Sequence, residues 1–430
     1  MRRSLRRQRE AVNGEVSMAG RISGDETQSA GFDPRNGDPD ELYEELARLR
    51  GHGRVVHVPR LQAWCVTGYE DIAAILRNDE DFSARDHKPR SSADVPADVR
   101  ETLRTWSGES VSLGEMDPPE HTRVRTVVNA GFTSRALKAA EPGIRAAAAQ
   151  LLAPLAGLSE FDLITAFAQP YALTVILRFL GIPDEHHADC LRWSDHKVQL
   201  MVGRDHTEER LREYATGLRA FGELARELTA QRLSAPRDDL ISAMLHESPH
   251  GHRLTPQEVA SAIPTLVITG HTTLAQALAM TVRHQLRAPG GWEALTSGAV
   301  PIPELVEEGL RLDCPVVGMY RTAVREVTVA GHVLPAGSRI LLLYGAGNHD
   351  PARYPDPGRN LPDRWPTAPH LAFGRGTHYC VGAGLARTEL RIALEELAAR
   401  LPGLSAAPET TPAYRATFPL RTLTALRVRP

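Results

Sequence analysis

Residues 255–287 restrict the fold of this chain more than any other stretch. Their apolar pattern predicts one long helix, in which Thr255 is the N-cap, Pro256 lies in the first turn and Glu258 follows three residues after the cap. A helix that is apolar on most sides has to be buried among other elements. Its middle, VITGHTTLAQAL, nevertheless contains a glycine, a histidine and three threonines. Glycine costs about 1 kcal/mol relative to alanine in a helix, so these residues require an explanation.

The rest of the chain predicts a mainly α fold, with one large helical domain and a small β-rich portion. Further helices are expected in the region 118–245, near Tyr69, over 303–313 and after Cys380. The β-rich runs are residues 53–68, residues 324–350 and the C-terminal tail. We expect a flexible N-terminal arm over residues 1–30. Since no interior linker or repeat is apparent, we expect a single domain over residues 31–430.

Composition and charge exclude several classes of protein. A formal net charge of −3 gives no indication of a nucleic-acid partner. There is no apolar run long enough to span a membrane, and the basic N-terminus has no apolar core typical of a secretory signal. The four cysteines are far apart, which is unlike a disulfide framework and favours a reducing compartment. We therefore expect a cytoplasmic protein without a membrane anchor. The basic N-terminus is either a disordered arm or an electrostatic docking arm.

The segment HLAFGRGTHYCVGAGLAR, residues 370–387, points to chemistry. Gly374 and Gly376 permit tight backbone turns, and Cys380 follows them at the predicted start of a long helix. The N–H groups and dipole of a helix N-terminus lower the pKa of a cysteine and favour the thiolate, which is a nucleophile or a metal ligand. The other cysteines are expected to be small buried apolar residues; they are Cys65, Cys190 and Cys314.

The stretch FGRGTHYCVG resembles the haem-binding loop of the cytochrome P450 family, Phe-Gly-x-Gly-x-His-x-Cys-x-Gly. The matching residues are Phe373, Gly374, Gly376, His378, Cys380 and Gly382. The resemblance implies the cytochrome P450 fold and haem b (iron protoporphyrin IX), with Cys380 as the axial ligand of the iron. It also implies that Phe373 and Gly374 shape the cofactor site and that His378 binds a haem propionate. A thiolate ligand favours O–O cleavage.

Other motifs occur in the order of that family. Glu308 and Arg311 share a helix face; they are either a surface ion pair of little energy or the family's Glu-x-x-Arg motif, with Arg364 of LPDRWP completing a structural triad. The resemblance places Arg321 on a haem propionate.

A second haem-contacting pair is expected near the start of the helical region. In MDPPEHTRVR, His121 and Arg125 are four residues apart and so lie on one face of a helix that we expect to start at Pro118. The family uses such a pair on a propionate, and arginine suits carboxylates because it donates through two nitrogens.

The central helix resembles the family's distal pattern Ala-Gly-x-(Asp/Glu)-Thr. The resemblance implies that Gly270 gives O2 room beside the iron and that the Thr273 hydroxyl steadies bound oxygen and relays protons. The acid position holds Thr272, and no Asp or Glu lies between Glu258 and Glu293. Thr272 is therefore either a proton relay through ordered water or, like Thr269, bonded to a carbonyl one turn earlier. His271 is expected to be structural.

The family's substrate-contacting regions imply a partly apolar pocket. Its expected residues are Thr265, Thr269, Val316, Val317, Met319 and Phe418. The stretch HHADCLRWSDH contains three histidines and a cysteine, which either belong to an amphipathic lid helix or bind a metal ion; the spacing fits no common zinc pattern.

These features predict a haem-thiolate monooxygenase that hydroxylates or otherwise oxidises a small organic, secondary-metabolite substrate. Electrons would come from NAD(P)H through a separate ferredoxin and ferredoxin reductase, with Arg123, Arg387 and Arg391 as a positive docking surface on a monomer. Two alternatives remain open. One is oxidative coupling, nitration or dehydrogenation, which the missing acid favours. The other is a non-catalytic haem sensor, against which Gly270 and Thr273 argue.

Overall fold

The computed structural model describes residues 32, 39–85, 96–102, 112–202, 206–408, 414–415 and 417–430. The arm expected over residues 1–30 lies outside the described residues. Helices α1 to α13 are Pro39–Gly51, Tyr69–Ile75, Glu120–Gly131, Ser134–Leu152, Gln169–Leu180, His187–Val202, Glu208–Ser234, Leu240–His246, Pro256–Arg287, Gly291–Thr296, Ile302–Leu312, Tyr344–Asn348 and Ala383–Arg400. Residues 97–102 are also helical. The mainly α fold is confirmed.

The strands are short and form small sheets. Strands β1 to β12 are Val55–Val58, Ala63–Val66, Phe82–Ser83, Phe161–Asp162, Met319–Ala323, Val327–Val329, His332–Leu334, Arg339–Leu342, Ser405–Ala406, Tyr414–Arg415, Thr422–Leu423 and Arg427–Arg429. The largest sheet has the order β1-β2-β8-β5-β3. Only its β2–β8 pair is parallel, with Trp64 opposite Ile340, and β5 brings Arg321 opposite Ile340 from the other side.

The long helix predicted over 255–287 is α9, and its N-terminus has the expected capping box. The Glu258 amide donates to the Thr255 hydroxyl oxygen at 3.2 Å, and the Thr255 amide donates to the Glu258 carboxylate at 2.7 Å. Helices α5, α6, α7, α8, α11 and α13 pack around α9, so it is the centre of the main core. Even so, none of the described helices combines the length and apolar character needed to cross a bilayer.

Three local expectations differ from the structure. The helix after Pro118 begins at Glu120, and the final helix begins at Ala383, so Cys380 lies in the preceding loop. Residues 344–348, expected to be β, form α12 because the strand ladder ends where the Leu343 amide donates to the Val66 carbonyl. The Gly345 amide then donates to the Val317 carbonyl, and the Gly347 amide donates back to the Leu343 carbonyl, which is a helical turn.

The contact between α9 and α11 depends on a glycine. A Cβ at Gly309 would lie 2.4 Å from the Thr281 hydroxyl oxygen and 2.8 Å from its methyl carbon. Gly309→Ala should therefore destabilise the fold by about 1–3 kcal/mol, although alanine favours a helix by about 1 kcal/mol. Urea unfolding measures the change.

Thr281→Ala supplies the matched background for this prediction, because it removes both of those atoms and the buried Thr281 hydroxyl has no hydrogen-bond partner to lose. In the Thr281→Ala protein, Gly309→Ala should lower the free energy of unfolding by at most half as much as it does in the wild-type protein. An equal loss in both backgrounds would show that this contact does not limit the packing of the two helices.

Candidate functional site

The cysteine loop has the backbone that its glycines permit. Gly374 and Gly376 both have φ of +66°, and a Cβ at Gly376 would lie 2.1 Å from the Leu76 carbonyl oxygen. The Cys380 amide donates to the Phe373 carbonyl at 2.9 Å, which closes the loop. The Cys380 side chain is exposed, whereas the three cysteines expected to be buried are buried. The loop therefore presents one thiol at a defined place.

The protonation of that thiol differs from the expectation. Although the Cys380 side chain is exposed, the protein atoms around it displace much of the surrounding water. This desolvation raises the pKa of Cys380 and outweighs the opposing effects of the Gly382 amide and of the Arg125 and Arg387 charges. The predicted lowering by a helix N-terminus was wrong for the protein alone, since α13 begins only at Ala383. A bound metal ion deprotonates a coordinating thiol outright, so a role as a metal ligand does not depend on the helix.

A buried carboxylate holds this loop against two helices. Glu307 of α11 accepts from Arg387 of α13 at 2.6 and 3.0 Å and lies 3.1 Å from His370 Nε2. Arg387 also donates to the Tyr379 hydroxyl at 2.9 Å and lies 4.5 Å from the Phe373 ring centre. Sequence reasoning missed Glu307 and His370. The available signal was the first acid of EEGLR, one residue before Glu308.

The neighbouring acid forms the predicted triad. Arg311 donates to both oxygens of Glu308 at 2.7 Å, and Arg364 Nε lies 3.6 Å from Glu308. Glu308 and Arg311 are only 3 % and 1 % exposed, so the alternative of a surface pair is wrong. Arg311 also donates to the carbonyls of Asn348 and Pro357. The triad therefore joins α11 to the irregular segment before the cysteine loop.

Three basic side chains meet on the other side of the loop. The rings of His121 from α3 and His378 from the loop lie 4.3 Å apart. Arg321 of β5 is buried, and its one described hydrogen bond goes to the Tyr320 carbonyl at 2.9 Å. Burial lowers the pKa of His378 to about 3, and the Arg321 charge and His121 add to this shift. Burial likewise lowers the pKa of His121.

These side chains fit a ligand with carboxylates. Both ring nitrogens of His121 and Nε2 of His378 are buried without a hydrogen-bond partner, which is costly. The two propionates of a haem would supply acceptors to the imidazoles and negative charge to Arg321. Arg125 is held differently, because it donates to the Tyr379 carbonyl and to Asn129 at 3.0 Å. It thus steadies the cysteine loop from α3.

Threonines line one face of the central helix. Thr269 is exposed and Thr273 is half-exposed, although most of α9 around them is buried. Their hydroxyls donate to the carbonyls of Thr265 and Thr269, each at 2.7 Å. Thr272 donates to the Ile268 carbonyl in the same way. All three threonines are therefore bonded one turn back, and the oxygens of Thr269 and Thr273 offer only acceptor lone pairs.

Gly270 and His271, which lie between Thr269 and Thr272, point towards neighbouring helices and away from the threonine face. A Cβ at Gly270 would lie 2.9 Å from Ile176 Cγ1 of α5, so the missing side chain makes room for this packed helix. His271 is buried, with Nδ1 2.9 Å from the Val267 carbonyl oxygen, and burial lowers the pKa of His271 to about 4. His271 is therefore a neutral structural residue.

The expected pocket residues divide into two groups. Thr265, Val316 and Met319 are half-buried and Thr269 is exposed. Val317 and Phe418 are only 2 % and 6 % exposed and pack into a separate apolar cluster with α1 and β1. The expectation that Val317 and Phe418 line the pocket is corrected, because both side chains are buried in this cluster.

The expected positive docking surface is also corrected, because carboxylates neutralise its arginines. Arg123 pairs with Glu258, and Arg387 pairs with Glu307. Arg391 pairs with Glu141 at 3.0 Å and with Glu395 at 2.9 Å.

In the lid-helix region, and across the described residues generally, no group of three or more His, Cys, Asp or Glu side chains is placed to hold a metal ion.

Comparison with known proteins agrees with the geometry. The family model for cytochrome P450 matches residues 302–400. The chain is 34% identical to cytochrome P450 107B1 of Saccharopolyspora erythraea, over 91% of this chain and 95% of that protein. It is 33% identical to mycinamicin IV hydroxylase/epoxidase of Micromonospora griseorubida, over 86% and 89%. The structure of cytochrome P450 CREJ with (4-ethylphenyl) dihydrogen phosphate superposes with a TM-score of 0.85 at 27% identity, over 93% and 99%.

The Glu307 clamp predicts a pH dependence of stability. Contacts with His370 and Arg387 outweigh burial and lower the pKa of Glu307 to about 2, from an ordinary value of 4.5. A lowered carboxyl pKa stabilises the fold by about 3 kcal/mol above pH 4.5, and this contribution is lost as pH falls from 4.5 towards 2. Glu307→Gln should therefore lower the free energy of unfolding by about 3 kcal/mol at pH 7.

Urea unfolding of both proteins between pH 3 and pH 7 measures this difference, which should shrink below about pH 4.5. Glu304→Gln, on the same helix but half-exposed, is the matched control and should show a much smaller loss. A Glu307→Gln deficit that stays constant down to pH 3 would contradict the assigned pairing.

Proposed function

The chain belongs to the cytochrome P450 family, and from this premise we propose how its residues carry out the monooxygenase reaction. Cytochrome P450 enzymes hold their iron through a cysteine thiolate. The observation that carries the proposal is the single exposed thiol, Cys380, at the end of a loop with two left-handed glycines. We propose that residues 31–430 form one catalytic domain.

Cys380 would be the axial ligand of haem b, and His121, His378 and Arg321 would bind its propionates. The unpartnered imidazole nitrogens support this assignment. Phe373 and Gly374 would shape the loop beneath the ring, with Arg125 holding the Tyr379 carbonyl. When bound, the haem supplies the activation of O2 by two electrons, and its thiolate ligand favours O–O cleavage.

Thr273 and Thr269 would organise water and substrate on the distal side. Each hydroxyl already donates to a carbonyl, so each oxygen can only accept a further hydrogen bond. Neither threonine can therefore start a proton transfer, and Thr272 is committed to the Ile268 carbonyl. The proton would come from water, or from a substrate group, that donates to Thr269 or Thr273.

The substrate would be a small organic molecule of secondary metabolism. Named relatives include the mycinamicin IV hydroxylase/epoxidase and the 6-deoxyerythronolide B hydroxylase, which support this class. Thr265, Thr269, Val316 and Met319 would contact it. Electrons would come from NAD(P)H through a ferredoxin and its reductase to a monomeric, cytoplasmic enzyme. Because the expected arginine surface is neutralised, other groups would have to dock the ferredoxin.

One observation favours a second type of reaction at the same site. Thr272 occupies the position of the family's acid, and its hydroxyl is bonded to the Ile268 carbonyl. Oxidative coupling, nitration or dehydrogenation would follow if the reaction at this site did not need a complete proton relay. We keep this as the alternative reaction of the same haem-thiolate enzyme.

Oxygen labelling tests the proposed reaction. The haem-loaded protein is supplied with NADPH, a surrogate ferredoxin and reductase, and macrolactones that change its Soret absorption. Under 18O2 the product should gain one labelled oxygen atom per turnover, as mass spectrometry would detect. A coupled or dehydrogenated product without added oxygen would contradict oxygen insertion and support the alternative.

Substitution of Thr272 tests the proton supply. Thr272→Glu should restore a carboxylate and raise the product formed per NADPH about twofold or more, because a positioned acid accelerates proton transfer. Thr272→Val is the matched control and should leave the ratio unchanged, since the native hydroxyl serves only the Ile268 carbonyl. If Thr272→Glu leaves coupling unchanged, proton supply does not limit the reaction.

A further inference from the structure

A groove lies between α7 and α9, on the side of the central helix away from its threonines. Its volume is about 460 Å³, within the range of about 300–1,000 Å³ that small-molecule sites occupy. One face of each helix lines it, including Gly222, Ala230 and Leu233 of α7 and Pro256, Ala260 and Pro264 of α9. Ala260 and Thr269 are nine residues apart in the sequence, which is about two and a half turns. The groove is therefore separate from the threonine face of α9.

Small side chains and a proline open this groove. Gly222, Ala230 and Ala260 carry at most a methyl group, so the facing helices leave a space between them. Pro264 lies inside α9 and has no N–H to donate to the carbonyl of Ala260, four residues earlier in the same wall. A single larger side chain at one of the small positions would fill the groove.

The direction of the two helices fixes which ends of them meet along the groove. Trp193 of α6 packs on Phe221 of α7, with ring centres 5.5 Å apart. The adjacent Ser194 hydroxyl lies 3.5 Å from His271 Nδ1 of α9. Away from that level, the groove follows α7 towards its end and α9 towards its start. The helices are therefore antiparallel, and Leu233 lies at the end of the groove beside the N-terminus of α9.

The two ends of the groove differ in polarity. Arg226 is the one charged side chain among the described residues that line it, and it forms no ion pair or hydrogen bond with a described residue. A Cβ at Gly222 would lie 3.6 Å from Arg226 Nη1, so the guanidinium lies towards that end of the groove. Leu233, at the other end, is 52 % exposed. The groove thus offers positive charge at one end and uncovered apolar surface at the other.

The hydrogen-bond donors of the groove also favour an anion. Thr229 and Ser261 line it, but each hydroxyl donates to a carbonyl of its own helix, at 2.7 and 2.9 Å. Among the described lining residues, the side chains that keep protons for a ligand are Arg226 and Gln257. An arginine donates to both oxygens of a carboxylate at once. The charge and the donors are therefore complementary to a carboxylate.

We propose that this groove binds a molecule with an apolar chain and a carboxylate at one end. Arg226 would hold the carboxylate, and the chain would lie past Ala230 towards Leu233 and Pro256. Residues 222 to 233 of α7 span about 16 Å, a length that suits an extended chain better than a compact ring system. The site lies outside the proposed haem pocket and does not depend on the proposed function.

Isothermal titration of the haem-loaded protein with decanoate tests this inference, with the Soret band recorded in parallel. Binding in the groove should produce heat without a change in the Soret band, because the groove lies on the other side of α9. Arg226→Gln should weaken this binding about fivefold or more and should leave the weaker binding of neutral decan-1-ol unchanged. Arg219→Gln, at an exposed arginine of α7 outside the groove, is the matched control and should change neither.

A second variant tests the place of the chain. Ala230 is exposed and lines the groove, so Ala230→Phe should narrow it without disturbing the core and should weaken decanoate and decan-1-ol alike. If Arg226→Gln and Ala230→Phe both bind decanoate as tightly as the wild-type protein does, the ligand lies elsewhere and the inference is overturned.

Other outcomes would also contradict the groove site. Equal losses in Arg226→Gln and Arg219→Gln would indicate attraction by general surface charge. A wild-type dimer in sedimentation that Ala230→Phe dissociates would show that a second copy of this chain covers the groove. A chain that binds decanoate but no haem would contradict the proposed function alone, whereas a haem-loaded chain whose decanoate affinity is insensitive to Arg226→Gln would contradict this inference alone.

Discussion

Two adjacent carboxylates of α11 hold the functional loop in place, and the rest of the site depends on them. Glu307 joins His370 and Arg387, while Glu308 joins Arg311 and Arg364. Both acids are buried, and a buried carboxylate is tolerated only when its partners are present. The loop before Cys380, the irregular segment around residue 364 and α13 therefore have to assemble together. The position of the thiol is a consequence of this ionic framework as much as of the loop glycines.

The groups that this framework leaves unsatisfied indicate the cofactor. His121 and His378 keep buried nitrogens without partners, Arg321 is buried, and desolvation by the surrounding protein raises the pKa of the Cys380 thiol. Each of these costs free energy that a haem would recover, through propionate oxygens on one side and iron on the other. The binding site is thus stabilised by its ligand.

Sequence reasoning succeeded where a short segment carries its own physical requirement. The left-handed Gly374 and Gly376, the capping box of Thr255 and Glu258 and the pair Glu308–Arg311 are all local, and the structure has each of them. It failed where long-range packing decides. The contact of Glu307 with Arg387 joins residues 80 apart, Gly270 packs on Ile176 of another helix, and burial reversed the expected pKa shift of Cys380. None of these three features is marked in the sequence by a short-range spacing of residues.

The ferrous–carbonyl absorption spectrum tests the central claim most directly. The reduced, haem-loaded protein under CO should show a Soret band at the long wavelength typical of thiolate ligation, and Cys65→Ser should keep it. Cys380→His should still bind haem but move the band to the short wavelength of imidazole ligation. A long-wavelength band that survives in Cys380→His, or that is absent from the wild-type protein, would contradict the assignment of Cys380 as the iron ligand.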